Sequence, residues 1–320
     1  MRMGEAICMF KFVLKRTLQI IPVLFIVSII VFTMVRISPS DPVASMTKGK
    51  QVSAQAVEAI KARYHLDETP VKQYFIWIGG ALRGDLGESF QHKQSVNFLI
   101  GERIGVTLQL VIMSAILSTV IAVPIGVLSA VKMNTPVDQA LSVVTLIFVA
   151  SPVFLTAIVL LLLFALRFPI FPSFGTGNGF WNNLWHLTLP AIALALNMVA
   201  LTSRITRTSM IEQLGSDFVR TAVAKGMPRR VVVYKHALKN ALIPVITVTS
   251  IQIGSMMVGA VLVENVFALG GIGGILIDSI KAADYPMVQG VTLLLVTIFL
   301  LINLVVDVFY AVIDPRIRLK

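Results

Sequence analysis

Cysteine is almost absent: Cys8 stands alone in 320 residues, which excludes an intrachain disulfide and any thiolate-held metal cluster. Histidine is scarce too. His65, His92, His186 and His236 are scattered, with no pair at helical ligand spacing, so no bound metal or resident cofactor is expected. Charged residues make up only 13% of the chain, against about 25% in soluble domains, and apolar residues 56%. No Gly-x-x-x-x-Gly-Lys-Ser/Thr loop is present to cradle a nucleotide. The glycine-rich Gly270-Gly271-Ile272-Gly273-Gly274 lacks the lysine. The apolar segments contain no His-x-x-x-His, Gly-x-Ser-x-Gly or paired aspartates, which argues against a membrane-embedded enzyme. No clear inverted repeat supports a stand-alone carrier.

What the chain has instead is apolar runs of membrane length: 18–35, 106–131, 137–166, 187–201, 242–263 and 288–312. The expected fold is an all-α polytopic membrane protein with six transmembrane helices. Arg2, Lys11, Lys15 and Arg16 before the first run resemble the start of a signal peptide. That run is long and lacks a clear small-residue cleavage site, so it reads as an uncleaved anchor. With both termini inside, the cytoplasmic segments hold sixteen of the 27 Lys and Arg residues. Eight of these lie between Arg204 and Lys239. The opposite orientation would violate the positive-inside rule. The net charge of +11 therefore reports topology and contact with anionic membrane lipid, and no nucleic-acid partner is expected.

Two polar segments carry information. In the outer loop, Ser53 precedes an alanine-rich run to Tyr64 and reads as a helix N-cap, and Gly84-Asp85-Leu86-Gly87 reads as a turn. This loop is a structural lid or a docking face for an external partner. In the inner loop, Phe218, Val219, Ala222, Val223 and Gly226 share one helical arc, opposite Asp217, Arg220, Thr221, Ala224 and Lys225. Ser216 is expected to cap this helix, Gly226 to end it in a left-handed turn, and Pro228 to open a second helix. The helix either lies on lipid headgroups or acts as a lever pressed into a cytosolic partner.

The stretch Asp217 to Gly226 resembles the coupling loop of binding-protein-dependent ABC importer permeases, in the dipeptide/oligopeptide/nickel branch. Arg220 and Thr221 replace the first two residues of the general Glu-Ala-Ala-x-x-x-Gly pattern, while Ala222 and Gly226 are kept. Similar motifs run the length of the chain: Arg16–Pro22, Ser38–Pro42 with Ser40 in place of glycine, Gly84–Gly87, His236–Pro244, Glu264–Gly271 with Leu269 in place of proline, and Asn303–Arg318.

The resemblance implies a type I importer permease without catalytic chemistry, in a bacterial or archaeal cytoplasmic membrane. It implies a second homologous permease, two cytoplasmic ATPase subunits that use the ATP, and an external solute-binding protein. Peptides are the expected cargo, with glutathione or a nickel chelate as alternatives. ATPase docking is expected at Asp217, Phe218, Arg220, Thr221, Ala222, Lys225 and Gly226. The implied organisation is a cytoplasmic N-terminus (1–17), a first transmembrane helix (18–35) and an external loop with a short helix (36–105). A five-helix core (106–312) containing the coupling loop 207–241 follows, then a cytoplasmic tail (313–320).

Pro124, Ser151-Pro152, Pro190 and Pro244 lie in or beside spans, where a missing backbone donor favours a kink. Gly254, Ser255, Gly259 and Ala260 give the fifth span a small-sided face for close helix approach. With Ser151 and Glu264, the residues Gly254, Ser255 and Gly259 are expected along the translocation pathway. Glu264 is expected just beyond the fifth span, where it attracts a substrate amino group or pairs with Arg167. Asn303 and Asp307 share one helix face and are expected to hydrogen-bond a neighbouring helix. Arg204 and Arg207 are expected to reach lipid headgroups as anchors.

Overall fold

The computed structural model describes residues 3–37, 42–47 and 53–313. The Ser38–Asp41 part of the outer motif and everything beyond Ile313 lie outside them. Among the described residues the secondary structure is helical except for one isolated antiparallel bridge, Glu88–Ser95. The chain packs as two compact units, Met1–Thr107 with Gly270–Leu301, and Leu108–Leu269 with Ile302–Lys320.

In the first unit, α1 (Met3–Ile37) is 35 residues long. At 1.5 Å per residue that is roughly 50 Å, longer than a hydrocarbon core of about 30 Å. The short α2 (Pro42–Met46) leads to α3 (Ala54–Arg63), whose start is capped as expected: Ser53 Oγ accepts the Ala56 N–H at 3.3 Å. A further helix, α4 (Pro70–Leu82), had no counterpart in the sequence reading; Thr69 precedes it and Pro70 opens its first turn. Gly84 and Gly87 make the turn that follows, both at positive φ (84° and 91°).

The first residues of α5 (Val96–Val131) pack Val96, Leu99 and Ile100 on Ile272 and Ile275 of α12 (Ile272–Lys281) and on Met287 and Val291 of α13 (Tyr285–Ile313). Asp284 sits fully buried just before α13. Its carboxylate accepts the Ser89 hydroxyl, the Phe90 N–H at 3.0 Å and the Gln91 N–H at 3.1 Å, so one acid fixes the outer loop's last turn.

In the second unit, α5 continues to α6 (Pro136–Ala150) and α7 (Val153–Leu161), which passes through a π-helical turn at Leu162–Arg167. The expected third span is therefore broken: α6 and α7 bend by 104° at Ser151-Pro152. Proline ends the helix there because the preceding residue is pushed into extended backbone, and Ser151 has φ −84°, ψ 126°. Pro124, Pro190 and Pro244 instead lie inside continuous helices: α5, α8 (Phe180–Leu214) and α11 (Leu238–Val266).

Among the described residues five helices are long and apolar enough to cross a membrane, and six spans result when the bent pair counts as one. Most spans run beyond the apolar runs; the fourth covers Phe180–Leu214 rather than 187–201. α8 packs most extensively against α11. A Cβ on Gly259 would stand 2.8 Å from Leu194 Cδ1, and one on Gly126 would stand 2.6 Å from Ser203 O, so both glycines permit close helix approach. Gln252 Nε2 donates to Thr202 Oγ1 at 3.2 Å, a polar tie between α11 and α8.

Candidate functional site

Between α8 and α11 the chain turns through the basic inner loop. Gly215 and Ser216 end α8, and Ser216 is extended (φ −74°, ψ 156°) before α9 (Asp217–Ala224). The expected side-chain cap is not made: the Ser216 hydroxyl is turned back toward the previous helix, where it donates to Gln213 O. Asp217 supplies the favourable charge at the first turn instead. Its ion pair with Arg220 at 3.7 Å is fully in solvent and adds little.

The far end closes as the sequence predicts. Gly226 has φ 75°, its N–H donates to Val223 O at 2.9 Å, and the Met227 N–H donates to Ala222 O at 3.3 Å. These two bonds satisfy helix-end carbonyls in a Schellman arrangement. Pro228 is extended and precedes one turn, α10 (Arg229–Val231), then a π-helical stretch, Val232–Ala237, that runs directly into α11.

Which face of α9 turns inward is the main finding. Val219 and Ala222 are buried in a cluster with Val127 and Ala130 of α5, Met210 of α8, Val232, Val233 and Ala237 of the π stretch, and Ala241 of α11. Ala222, expected on the docking surface, therefore belongs to the chain's own core. The outward side carries Asp217, Phe218, Arg220, Thr221, Val223, Lys225 and Gly226, with Phe218 40% and Val223 59% exposed. Met227, Arg229, Arg230 and Tyr234 extend this apolar and cationic surface. A cavity of about 520 Å³ beside it is lined by Leu214, Val223, Met227 and Arg229 among others.

Between α6 and α8 stands an ion pair that the sequence reading missed. Asp138, in the first turn of α6, is 4% exposed. Arg207 on α8 grips it with two parallel bonds, Nε to Oδ1 at 2.8 Å and Nη2 to Oδ2 at 2.7 Å. The Ser129 hydroxyl also donates to Asp138, as does the Asn134 N–H at 3.0 Å. Arg207 is thus a brace between α6 and α8 and not a headgroup anchor; a bidentate pair uses the planar guanidinium fully. The one available signal was Asp138 itself, an acid just inside a helix that Thr135-Pro136 announces. Arg204 is exposed.

The residues expected along the pathway are not brought to one environment. Ser151 is half-buried at the α6–α7 break, its hydroxyl bonded to Ile147 O at 2.8 Å. On α11, Gly254 is buried, Ser255 exposed and Gly259 pressed on Leu194. Glu264 is a correction: the helix continues past it to Val266, and it is fully buried inside α11 instead of standing beyond the span. Arg167 is exposed beside the ring of Phe168, 5.8 Å from its centroid. Asn303 and Asp307 are half-buried on α13. Among the described residues no group of three or more His, Cys, Asp or Glu side chains could hold a metal ion.

Two family models match the chain. The "binding-protein-dependent transport system inner membrane component" matches residues 122–319, and the N-terminal model of such membrane components matches residues 9–111. A putative peptide permease protein of Brucella suis is 38% identical over 97% of this chain and 99% of its own length. The dipeptide transport system permease of Alkalihalophilus pseudofirmus is 36% identical over 97% of this chain and 100% of its own. A glutathione transport system permease of Escherichia coli is 37% identical over 98% of this chain and 100% of its own.

Proposed function

The chain belongs to the family of binding-protein-dependent transport system inner-membrane components, and from that premise we propose that it forms half of a peptide pathway driven by partner ATPases. It is a multi-pass permease subunit of an ABC importer in a bacterial inner membrane. Its cargo on this reading is a di- or oligopeptide, the class named for the Brucella and Alkalihalophilus relatives. Glutathione is a second reading, favoured by the E. coli relative, and is itself a small peptide.

The partners on this reading are a second homologous permease, two cytoplasmic ATPase subunits and an external solute-binding protein. The chain itself carries no cofactor, and ATP is spent by the partners. Docking uses the outward side of α9: Asp217, Phe218, Arg220, Thr221, Lys225 and Gly226. The observation that carries the proposal is the position of α9, a short helix with exposed apolar and basic groups, locked by Gly226 and cored into α5, α8 and α11.

The test has two arms. A strain lacking the chain should lose uptake of a radiolabelled dipeptide and regain it on complementation. In a Cys8→Ser background, cysteine at exposed position 225 should crosslink to a nucleotide-hydrolysing protein, whereas cysteine at buried position 222 should not. Retained uptake in the deletion strain, or crosslinks from 225 to lipid alone, would overturn the proposal.

A further inference from the structure

In the second unit, a loop joins the π-helical turn Leu162–Arg167 to α8. Six of the eighteen residues from Phe168 to Trp185 are aromatic, against 8% in the whole chain. No Asp, Glu, Lys or Arg occurs between Arg167 and Arg204. The loop lies at the end of α8 remote from the basic 204–239 segment, hence on the opposite face of the membrane.

The polar groups of this loop turn inward. The Gly175 N–H donates to Phe267 O at 3.0 Å, His186 Nδ1 lies 3.0 Å from Gly175 O, and Asn183 Nδ2 donates to Gln109 Oε1 at 2.7 Å. These ties hold the loop on α5, α8 and the end of α11. Its large side chains face out. Phe168, Ile170, Phe174, Phe180, Trp181 and Trp185 are all exposed, Phe180 by 73% and Trp181 by 78%. Phe171 packs on Trp185 with ring centroids 4.6 Å apart, which ties the loop to the level of that indole.

Two constraints set the depth of the loop. Its backbone is irregular from Phe168 to Gly179, and irregular backbone facing hydrocarbon leaves peptide groups unpaired at a cost of several kcal/mol each. Its exposed rings, in turn, disfavour water. The headgroup region meets both demands, and tryptophan is enriched there because its ring is apolar while its N–H is polar. The length of α8 gives the same level independently. Counted from Arg204, the first charged residue on α8, Trp185 stands about 29 Å and Trp181 about 35 Å along the axis. A hydrocarbon core of about 30 Å ends between them. A surface for a water-soluble partner mixes charged with apolar groups, as the long segment before α5 does with its many acids and bases. The 168–185 surface has no such charge.

We propose that residues 168–185 form an interfacial anchor seated in the headgroup–acyl boundary of the leaflet opposite the basic loop, with phospholipid as its partner. Trp181 and Trp185 set its depth. Arg167, exposed where the loop begins, reaches lipid phosphate on its long apolar stem. The anchor holds one end of α8 at a fixed level. It rests on the multi-pass membrane assignment alone, and on neither the cargo nor the ATPase partners.

The chain has three tryptophans, so Trp77→Phe leaves Trp181 and Trp185 as the emitters. The full chain with that substitution, in phosphatidylcholine nanodiscs, should be read by fluorescence with three quenchers. These are lipid brominated near the headgroup end of its acyl chains, lipid brominated near the chain ends, and aqueous iodide. The first lipid should quench at least twofold more than the second. The iodide quenching constant should fall at least threefold below that of free tryptophan amide. Should Trp77→Phe fail to fold, the difference between the wild type and Trp181→Phe/Trp185→Phe supplies the same signal. Equal or stronger quenching from the chain ends puts the rings in hydrocarbon and overturns the proposal. So does iodide quenching equal to that of free tryptophan amide, which marks a water-facing surface open to an external protein. Protection from all three quenchers, the sign of a second copy packed over the loop, overturns it as well.

Discussion

The Asp138–Arg207 brace makes an asymmetric prediction. Asp138 is 5% exposed at its side chain and Arg207 29%, so the two partners tolerate being orphaned very differently. Arg207→Met removes both guanidinium bonds and leaves a buried carboxylate with only the Ser129 hydroxyl and the Asn134 N–H. An uncompensated buried charge of this kind costs about 3–5 kcal/mol. Asp138→Asn loses the charge assistance, but its amide oxygen can keep the Asn134 N–H while its NH2 donates to the Ser129 hydroxyl, and Arg207 can swing toward headgroups. Its cost should be about 2 kcal/mol. The double variant Asp138→Asn/Arg207→Met has no buried charge left, so it should be more stable than Arg207→Met alone, with a coupling energy on the order of 1–3 kcal/mol. Thermal unfolding of the purified full chain in a mild detergent ranks the four proteins directly. Should Arg207→Met cost no more than Asp138→Asn, or the double variant lose the sum of the two singles, the brace is not a buried ion pair.

Three further outcomes follow from local geometry. Gly226 has φ 75° and open space around its missing Cβ, so the obstacle to substitution is backbone strain and not a clash. Gly226→Asn should therefore keep transport, while Gly226→Val should cost about 1–2 kcal/mol locally and depress uptake, as a transport assay with matched expression would show. Gly126→Leu should separate α5 from α8, because even a Cβ would stand 2.5 Å from Thr206 Cβ; the readout is loss of monodisperse protein on size exclusion. Asp284→Ala strands the Ser89 hydroxyl and the Phe90 and Gln91 N–H groups, so limited proteolysis should cut residues 83–95 much faster than in the wild type.

Much of this architecture could be read from the residues, for physical reasons. Long apolar runs report spans because a single segment in lipid satisfies its own backbone only as a helix. Ser53 and Gly226 were legible because their roles are local: a hydroxyl acceptor at a helix start, and a residue free to adopt positive φ. What depended on distant partners was not. Asp138 and Arg207 are 69 residues apart, Asp284 and Phe90 are 194 apart, and neither sequence neighbourhood names its partner. Ser216 makes no side-chain cap because its hydroxyl is turned back against Gln213 O and away from the N–H groups of α9, a rotamer choice that propensity alone does not reveal. Helix α4 was hidden because Pro70, Gly79 and Gly80 lower its helical signal, although Pro70 sits where a helix tolerates it.

The resemblance implies that α9 is where partner ATPases dock, and the structure divides its apolar arc in two. Val219 and Ala222 face the chain's own helices, whereas Phe218 and Val223 remain outside. Such a division is what a lever requires. A helix held only by its partner would slide over the spans, while one cored into α5, α8 and the head of α11 carries them with it, because packed interiors transmit displacement. Burial of a valine contributes about 1.5–3 kcal/mol, so the inner attachment is strong enough to survive a pull on the outer face. The two faces should then fail differently. Val219→Asp should destabilise the isolated permease, lowering its melting temperature whether or not a partner is present. Phe218→Ala should leave that melting temperature unchanged and weaken only the recovery of the proposed ATPase subunits in pull-downs. If Phe218→Ala lowered the stability of the isolated chain as much as Val219→Asp did, α9 would be a piece of ordinary core and not a handle.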